Sequence, residues 1–372
     1  MVKRSIGVTI AVSLVVIACG SPTPSPRGAQ PGGALQRGKA LGPLHVRALR
    51  EFVPSSSGVI INISAWAHSV AWAQAPNADA LTQAIIAYDM GTGTSRVVAR
   101  AKAGREVDFP VGSGTQLAYI DATGAKSDSD TNVSWTIVVV DLARGGSRVI
   151  ASGGPTYTFF VPHPVMDSGV LAWVELIPGV SKDAADVTRI VAYDLASRRT
   201  SVLVEHGNPA AVSLVGGNAY YTGDSPGKGR DVFRVSLNDR LPPTQVTRSG
   251  QVGDARAHAS VLCWEEPVTG QSKSLWILPL GTATTPTRVD NQNDGNVVAG
   301  GNFVLWDSLD GHLMIRDAAP SGPAAVLAQA SELYLPARWA ATDSLAVWAT
   351  VRNIADLNAV PRIHIAEVSV GS

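Results

Sequence analysis

Short apolar runs recur along the chain, each bounded by Gly, Ser, Asn or Asp. The clearest ends in an aromatic residue: Val70-Ala71-Trp72, Leu117-Ala118-Tyr119, Leu171-Ala172-Trp173, Ala219-Tyr220-Tyr221, Leu262-Cys263-Trp264, Val304-Leu305-Trp306 and Ala346-Val347-Trp348. These aromatic positions are 47, 54, 48, 43, 42 and 42 residues apart. A second run follows each and often ends in an acid and a polar turn, as in Ile85-Ile86-Ala87-Tyr88-Asp89, Ile137-Val138-Val139-Val140-Asp141 and Ile190-Val191-Ala192-Tyr193-Asp194. Alternating segments close most units (Arg96-Val97-Val98-Ala99, Thr244-Gln245-Val246-Thr247) and open them (Ala211-Val212-Ser213-Leu214). Each unit therefore predicts four short strands with turn chemistry between them. Gly and Pro interrupt nearly every window long enough for an amphipathic helix.

Four antiparallel strands, repeated at this period, predict an all-β fold: a seven-bladed β-propeller. One blade has two apolar faces and can bury neither alone; stacking blades around an axis buries both. The recurrent Trp or Tyr is then the anchor between blades, since an aromatic side chain buries ~150–250 Å². From Leu44 onward 329 residues divide into seven units of 47. The last unit ends without a fourth strand, while Leu44-His45-Val46-Arg47-Ala48-Leu49 alternates like one. This N-terminal segment is expected to supply the outer strand of the seventh blade. Six or eight blades are the alternatives, with the 54-residue spacing around Phe159-Phe160-Val161-Pro162-His163 the weakest point of the count. The aspartates Asp89, Asp141 and Asp194 are expected to cap hairpin turns through side chain-to-backbone bonds.

The first residues read differently. Lys3 and Arg4 precede an uncharged apolar stretch, Ile6 to Ala18, too short to cross a bilayer, which takes about 20 residues. It fits the apolar region of a secretory signal. Val16-Ile17-Ala18-Cys19 then resembles the lipobox of bacterial lipoproteins, which implies cleavage before Cys19 and its acylation (palmitate-type chains). Residues 20–42 are rich in Pro, Gly, Ser and Ala, the composition of a tether. The expected organisation is residues 1–18 signal peptide, 19–43 lipidated Cys and tether, and 44–372 propeller. The expected location is the extracytoplasmic face of a bacterial cell membrane.

Charge narrows the partners. Lys+Arg and Asp+Glu are each 30, and removal of Lys3 and Arg4 with the signal leaves a net of −2. That excludes a general nucleic-acid binder, which needs a basic surplus, and leaves the lipid to attach the chain to its membrane. Two cysteines exclude a disulfide scaffold. Cys263, between Leu262 and Trp264, reads as a buried residue.

Gly114-Thr115-Gln116-Leu117-Ala118-Tyr119 followed by Val138-Val139-Val140-Asp141-Leu142 resembles the repeats of TolB-like propellers, although the usual Ser-Pro-Asp-Gly turn is absent. The Trp-Asp of WD40-like repeats occurs once, as Trp306-Asp307, out of its usual place. The resemblance implies binding or scaffolding outside the cytoplasm. Ala87-Tyr88-Asp89-Met90-Gly91-Thr92-Gly93 is similar to one turn of the quinone-binding propellers, but no other unit repeats it, so no cofactor is expected.

No nucleophile elbow, phosphate loop or His-Glu-x-x-His occurs. Asp128-x-Asp130-x-Asn132 within the loop 121–132 starts like a calcium loop but lacks its Gly and Glu; no metal is expected. The place for a ligand is the channel rim, where inner strands begin. The candidates there are Asp108, His163, Asp254, Arg256, His258, Glu332 and Arg338, with Trp66, Tyr334 and Trp339 nearby. The alternative is that these charges pair only with one another. The functional expectation is a membrane-anchored monomer that binds a protein, a cell-envelope polymer or another ligand. The alternatives are a polymer-degrading lyase or hydrolase at the channel mouth and a small-ligand sensor.

Overall fold

The computed structural model describes residues 40–41, 44–54, 58–77, 80–123, 133–154, 161–177, 187–227, 229–239, 241–268, 272–281, 285–319, 322–333, 339–351 and 361–370. Cys19 with its signal sequence, the calcium-like positions Asp128, Asp130 and Asn132, Tyr334 and Arg338 lie outside them.

The described residues form seven antiparallel blades of four strands and, among them, no helix. Blades one to four occupy residues 59–100, 105–153, 165–204 and 210–245. Blades five and six share one long strand, Thr287–Ala299: its first half pairs with Lys273–Pro279 of blade five, its second with Phe303–Ser308 of blade six. Blade seven holds Trp339–Ala341, Leu345–Thr350 and Arg362–Val370. Its outer strand comes from the other end of the chain. Leu44–Phe52 pairs antiparallel with Arg362–Val370, from Leu44↔Val370 to Phe52↔Ile363. This is the predicted N-terminal closure, three residues longer than the alternation suggested. Ala40–Leu41 adds a short fifth strand outside it.

The inner strands are Val59–Trp66, Arg105–Ser113, Val165–Asp167, Ala210–Val215, Ala255–His258, the second half of Thr287–Ala299, and Trp339–Ala341. Each touches the next and the seventh touches the first, so the ring is closed. All begin at one end of the axis, here the start end. Their hairpins into the second strands lie at the other, the turn end. There Ser260 Oγ donates to Gly301 O (2.6 Å), and Gly301 N donates to Thr342 O (3.1 Å).

The seven predicted aromatic anchors all lie on second strands, at 1–9% exposure. Each packs against the preceding blade: Trp306 with Cys263 and Ile277, Trp348 with Leu305 and Ile315, Trp72 with Val347 and Ile365. The last contact carries the pattern across the seam, from blade one onto blade seven. Trp66 and Trp339 are also buried, and so pack rather than form a rim. At Gly112 a Cβ would lie 2.2 Å from the Trp66 ring, so glycine lets two inner strands meet. Cys263 is fully buried, and burial pushes its thiol far above the ordinary range.

The hairpin aspartates act as expected. Asp89 accepts from Thr92 N (2.9 Å), Asp141 from Ala143 N (2.9 Å) and Arg144 N (3.0 Å), and Asp194 from Ser197 N. These backbone donors hold all three carboxyls below their usual range.

Candidate functional site

At the start end the inner strands of blades two to five surround a cavity of about 610 Å³. Its wall is mostly aliphatic: Ile120, Val161, Val165, Val174 and Val212. Four groups with ionisable side chains reach it: Glu106, Asp108, His163 and Arg256.

Glu106 and Asp108 are two apart on Arg105–Ser113, so the strand's alternation turns them to one side, with Val107 buried on the other. The register then shifts between Asp108 and Val111. This bulge places Phe109 at φ 50°, strained for a residue with a side chain. Phe109 stacks on His163, with ring centres 3.8 Å apart and planes at 27°. A second bulge, between Ala210 and Ser213, puts Ala211 at φ 46° on the same cavity. Two strained bulges thus shape its wall.

Asn62 Nδ2 (2.8 Å) and the Phe109 amide (2.7 Å) donate to Asp108 Oδ1. Burial outweighs both and raises the Asp108 carboxyl to about 6. Burial, and then the charge of Asp108, raises Glu106 to about 7. Across the cavity Arg256 Nη1 donates to Asp254 Oδ1 (2.7 Å) and to Ala255 O (3.1 Å).

The fold therefore brings Asp108, His163 and Arg256 to one cavity, with Asp254 as the partner of Arg256. His258 does not join them. It ends its four-residue inner strand, which carries it towards the turn end, where Nε2 lies 3.0 Å from Asp343 Oδ1. Glu332 precedes the inner strand of blade seven, its carbonyl accepts from Val351 N (2.8 Å), and it does not line the cavity. In the loop 121–132, Asp121 is ion-paired with Arg105. Glu106 was missed; stepping two residues back from Asp108 along an alternating strand would have found it. Among the described residues, no three His, Cys, Asp or Glu side chains gather as a metal site.

The raised Glu106 carboxyl has a sign that can be checked. Between pH 4.5 and about 7 the folded chain holds a proton that the unfolded chain has released, so stability falls as pH rises through that window. Glu106→Gln removes the effect. At pH 8 the variant is expected to be more stable than wild type by on the order of 2 kcal/mol, with the difference vanishing near pH 4. Denaturant titrations at the two pH values check it; a variant less stable at pH 8 refutes it.

No family model and no curated protein sequence matches the chain. Solved structures do. The β-propeller domain of the Trilobed protease from Pyrococcus furiosus, described as having an open velcro topology, aligns at TM-score 0.56 and 13% identity, over 79% of this chain and 92% of that one. An oligogalacturonate lyase in complex with manganese aligns at 0.54 and 12%, over 90% and 99%. The Pyrococcus horikoshii acylaminoacyl peptidase aligns at 0.55 and 9% over 79% of this chain, which spans only 49% of the peptidase. At these identities the likeness is one of fold: the chain is a seven-bladed β-propeller similar to domains found in peptidases and in a lyase.

Proposed function

We propose that this chain is a TolB-like propeller lipoprotein, held through Cys19 at the outer face of a bacterial cell membrane. Its propeller binds a ligand at the start end of the channel. One observation carries the binding reading: a cavity of about 610 Å³ with aliphatic walls and a few convergent polar groups, the usual make-up of a ligand site. A second reading, an enzyme acting on a polymer, is favoured by two carboxyls raised to about 6 and about 7 at one rim. Against an anionic polymer stands the charge balance, because Asp254 already engages Arg256.

Two experiments test this function. In a bacterial host fed alkyne-palmitate, the full chain is expected to take up label and partition into detergent, and Cys19→Ala to do neither. Unlabelled, aqueous wild type overturns the anchor. For the cavity, a mixed-charge fragment set is screened by saturation-transfer NMR against wild type and Ala210→Phe, which fills the space. Hits lost in a variant that still melts cooperatively support the site; Val161→Phe replaces it should Ala210→Phe not fold. No hits, or hits indifferent to both variants, overturn it.

A further inference from the structure

The polar groups of the cavity are unequally satisfied. Arg256 is held by Asp254 at 2.7 Å, so its charge is matched. Asp108 receives two neutral donors, both on Oδ1. Among the described residues no donor reaches Glu106. The two acids stand one strand repeat apart, roughly 6–7 Å along the backbone, and face aliphatic wall rather than a cation. A buried carboxylate without a cation is costly, which is why both acids resist ionisation here.

Resting on the reading of the cavity as a ligand site, we infer that its ligand is an organic cation. An ammonium head group sits with Glu106 and Asp108, and an apolar body lies against Val161, Val165, Val174 and Val212. Three features point the same way: a cavity large enough for a small organic molecule, an aliphatic wall that suits its body, and two carboxyls without a cation on one side of it. An anionic ligand meets the opposite balance, two acids on that side and a positive charge already neutralised on the other.

Binding is coupled to protons in a stated direction. The head group favours ionised acids, so the cation displaces protons from Glu106 and Asp108. Its affinity rises with pH through the range of the two acids. His163, stacked on Phe109, lines the same cavity. The other charged group facing the cavity is Arg256, paired with Asp254.

Three probes of one shape test the inference by calorimetry on the full chain: benzylammonium, benzyl alcohol and benzoate. Benzylammonium is expected to bind at pH 8 at least ten-fold more tightly than benzyl alcohol, with benzoate weakest. Its affinity is expected to fall about ten-fold by pH 5.5. Between buffers of different ionisation enthalpy, its binding should release protons near pH 6.5. Glu106→Gln should flatten the pH dependence and narrow the gap to benzyl alcohol, while still melting cooperatively. Equal binding of the amine and the alcohol overturns the cation assignment and leaves the ligand site standing. Tighter binding of benzoate also overturns it, as does no binding of any probe. If the fragment screen fails as well, the ligand site itself falls.

Discussion

Removing residues 44–52 should leave a chain that no longer melts as a cooperative unit. This segment is the whole outer strand of blade seven. It contributes eight paired positions and the buried side chains of Leu44 and Val46. It also brings Phe52 onto Tyr88 of blade one, with rings 4.4 Å apart, and Arg50 over the same ring at 5.7 Å. Burying a Val or Leu side chain is worth about 1.5–3 kcal/mol, and each ladder hydrogen bond about 0.5–1.5 kcal/mol net. Together these rival the whole stability of a domain, about 5–15 kcal/mol. The loss also bares the edge of Arg362–Val370, and an unpaired edge invites aggregation. A milder variant, Leu44→Ala, should cost about 2–5 kcal/mol. A synthetic peptide of residues 44–52 should bind the truncated chain and restore cooperativity, by strand addition. Truncated protein that melts like wild type would show that the seam is not closed by this strand.

Asp231→Ala should be the most damaging single polar change, on the order of 4 kcal/mol. Asp231 is fully buried in the third strand of blade four. Its Oδ2 accepts from Ser225 Oγ (2.7 Å) and Gln245 Nε2 (2.9 Å), and its Oδ1 from Thr247 Oγ1 (2.8 Å) and Gly250 N (3.1 Å). The outer strand of this blade is only Thr244–Gln245, so this carboxylate holds the edge where a ladder would otherwise run. Burial alone would raise its pKa, but the four donors together lower it. A depressed carboxyl stabilises the fold above the ordinary value, 3.8, and that contribution is lost as pH falls through the folded value. Asp231→Ala should therefore lower Tm by on the order of 10 °C at pH 7, with the gap shrinking in acid. Asp231→Asn keeps the shape but turns a donor towards donors, and should lie between the two. A Tm unchanged in Asp231→Ala would refute the role.

The ring was legible because its rules are local. Trp72, Trp173, Trp306 and Trp348 stand at a fixed place in each unit, and the apolar alternation of Leu44–Leu49 had no partner nearer than the far end of the chain. The hairpin caps Asp89, Asp141 and Asp194 are read from turn chemistry alone. The cavity was only half legible. Asp108 and Arg256 follow from counting along inner strands, and Glu106 lies one strand repeat before Asp108 in regular register, but the bulges at Phe109 and Ala211 that shape the wall carry neither Gly nor Asn to announce them. His258 was misplaced because the count assumed the start of a strand, and a strand of four residues reaches the other end of the ring. Asp231 gave no signal at all: a polar residue beside Arg230 reads as solvent-facing until the donors of four separate positions are seen around it.

The closing strand also decides how the ring bears a pull. Leu44 lies at the turn end and Phe52 at the start end, and the strand runs antiparallel beside Arg362–Val370. A force drawing Leu44 away from the turn end acts along the strand and across its ladder hydrogen bonds. The eight paired positions then resist together in shear instead of opening one after another like a zip. The seam that completes the ring is thus strongest along its own strand direction.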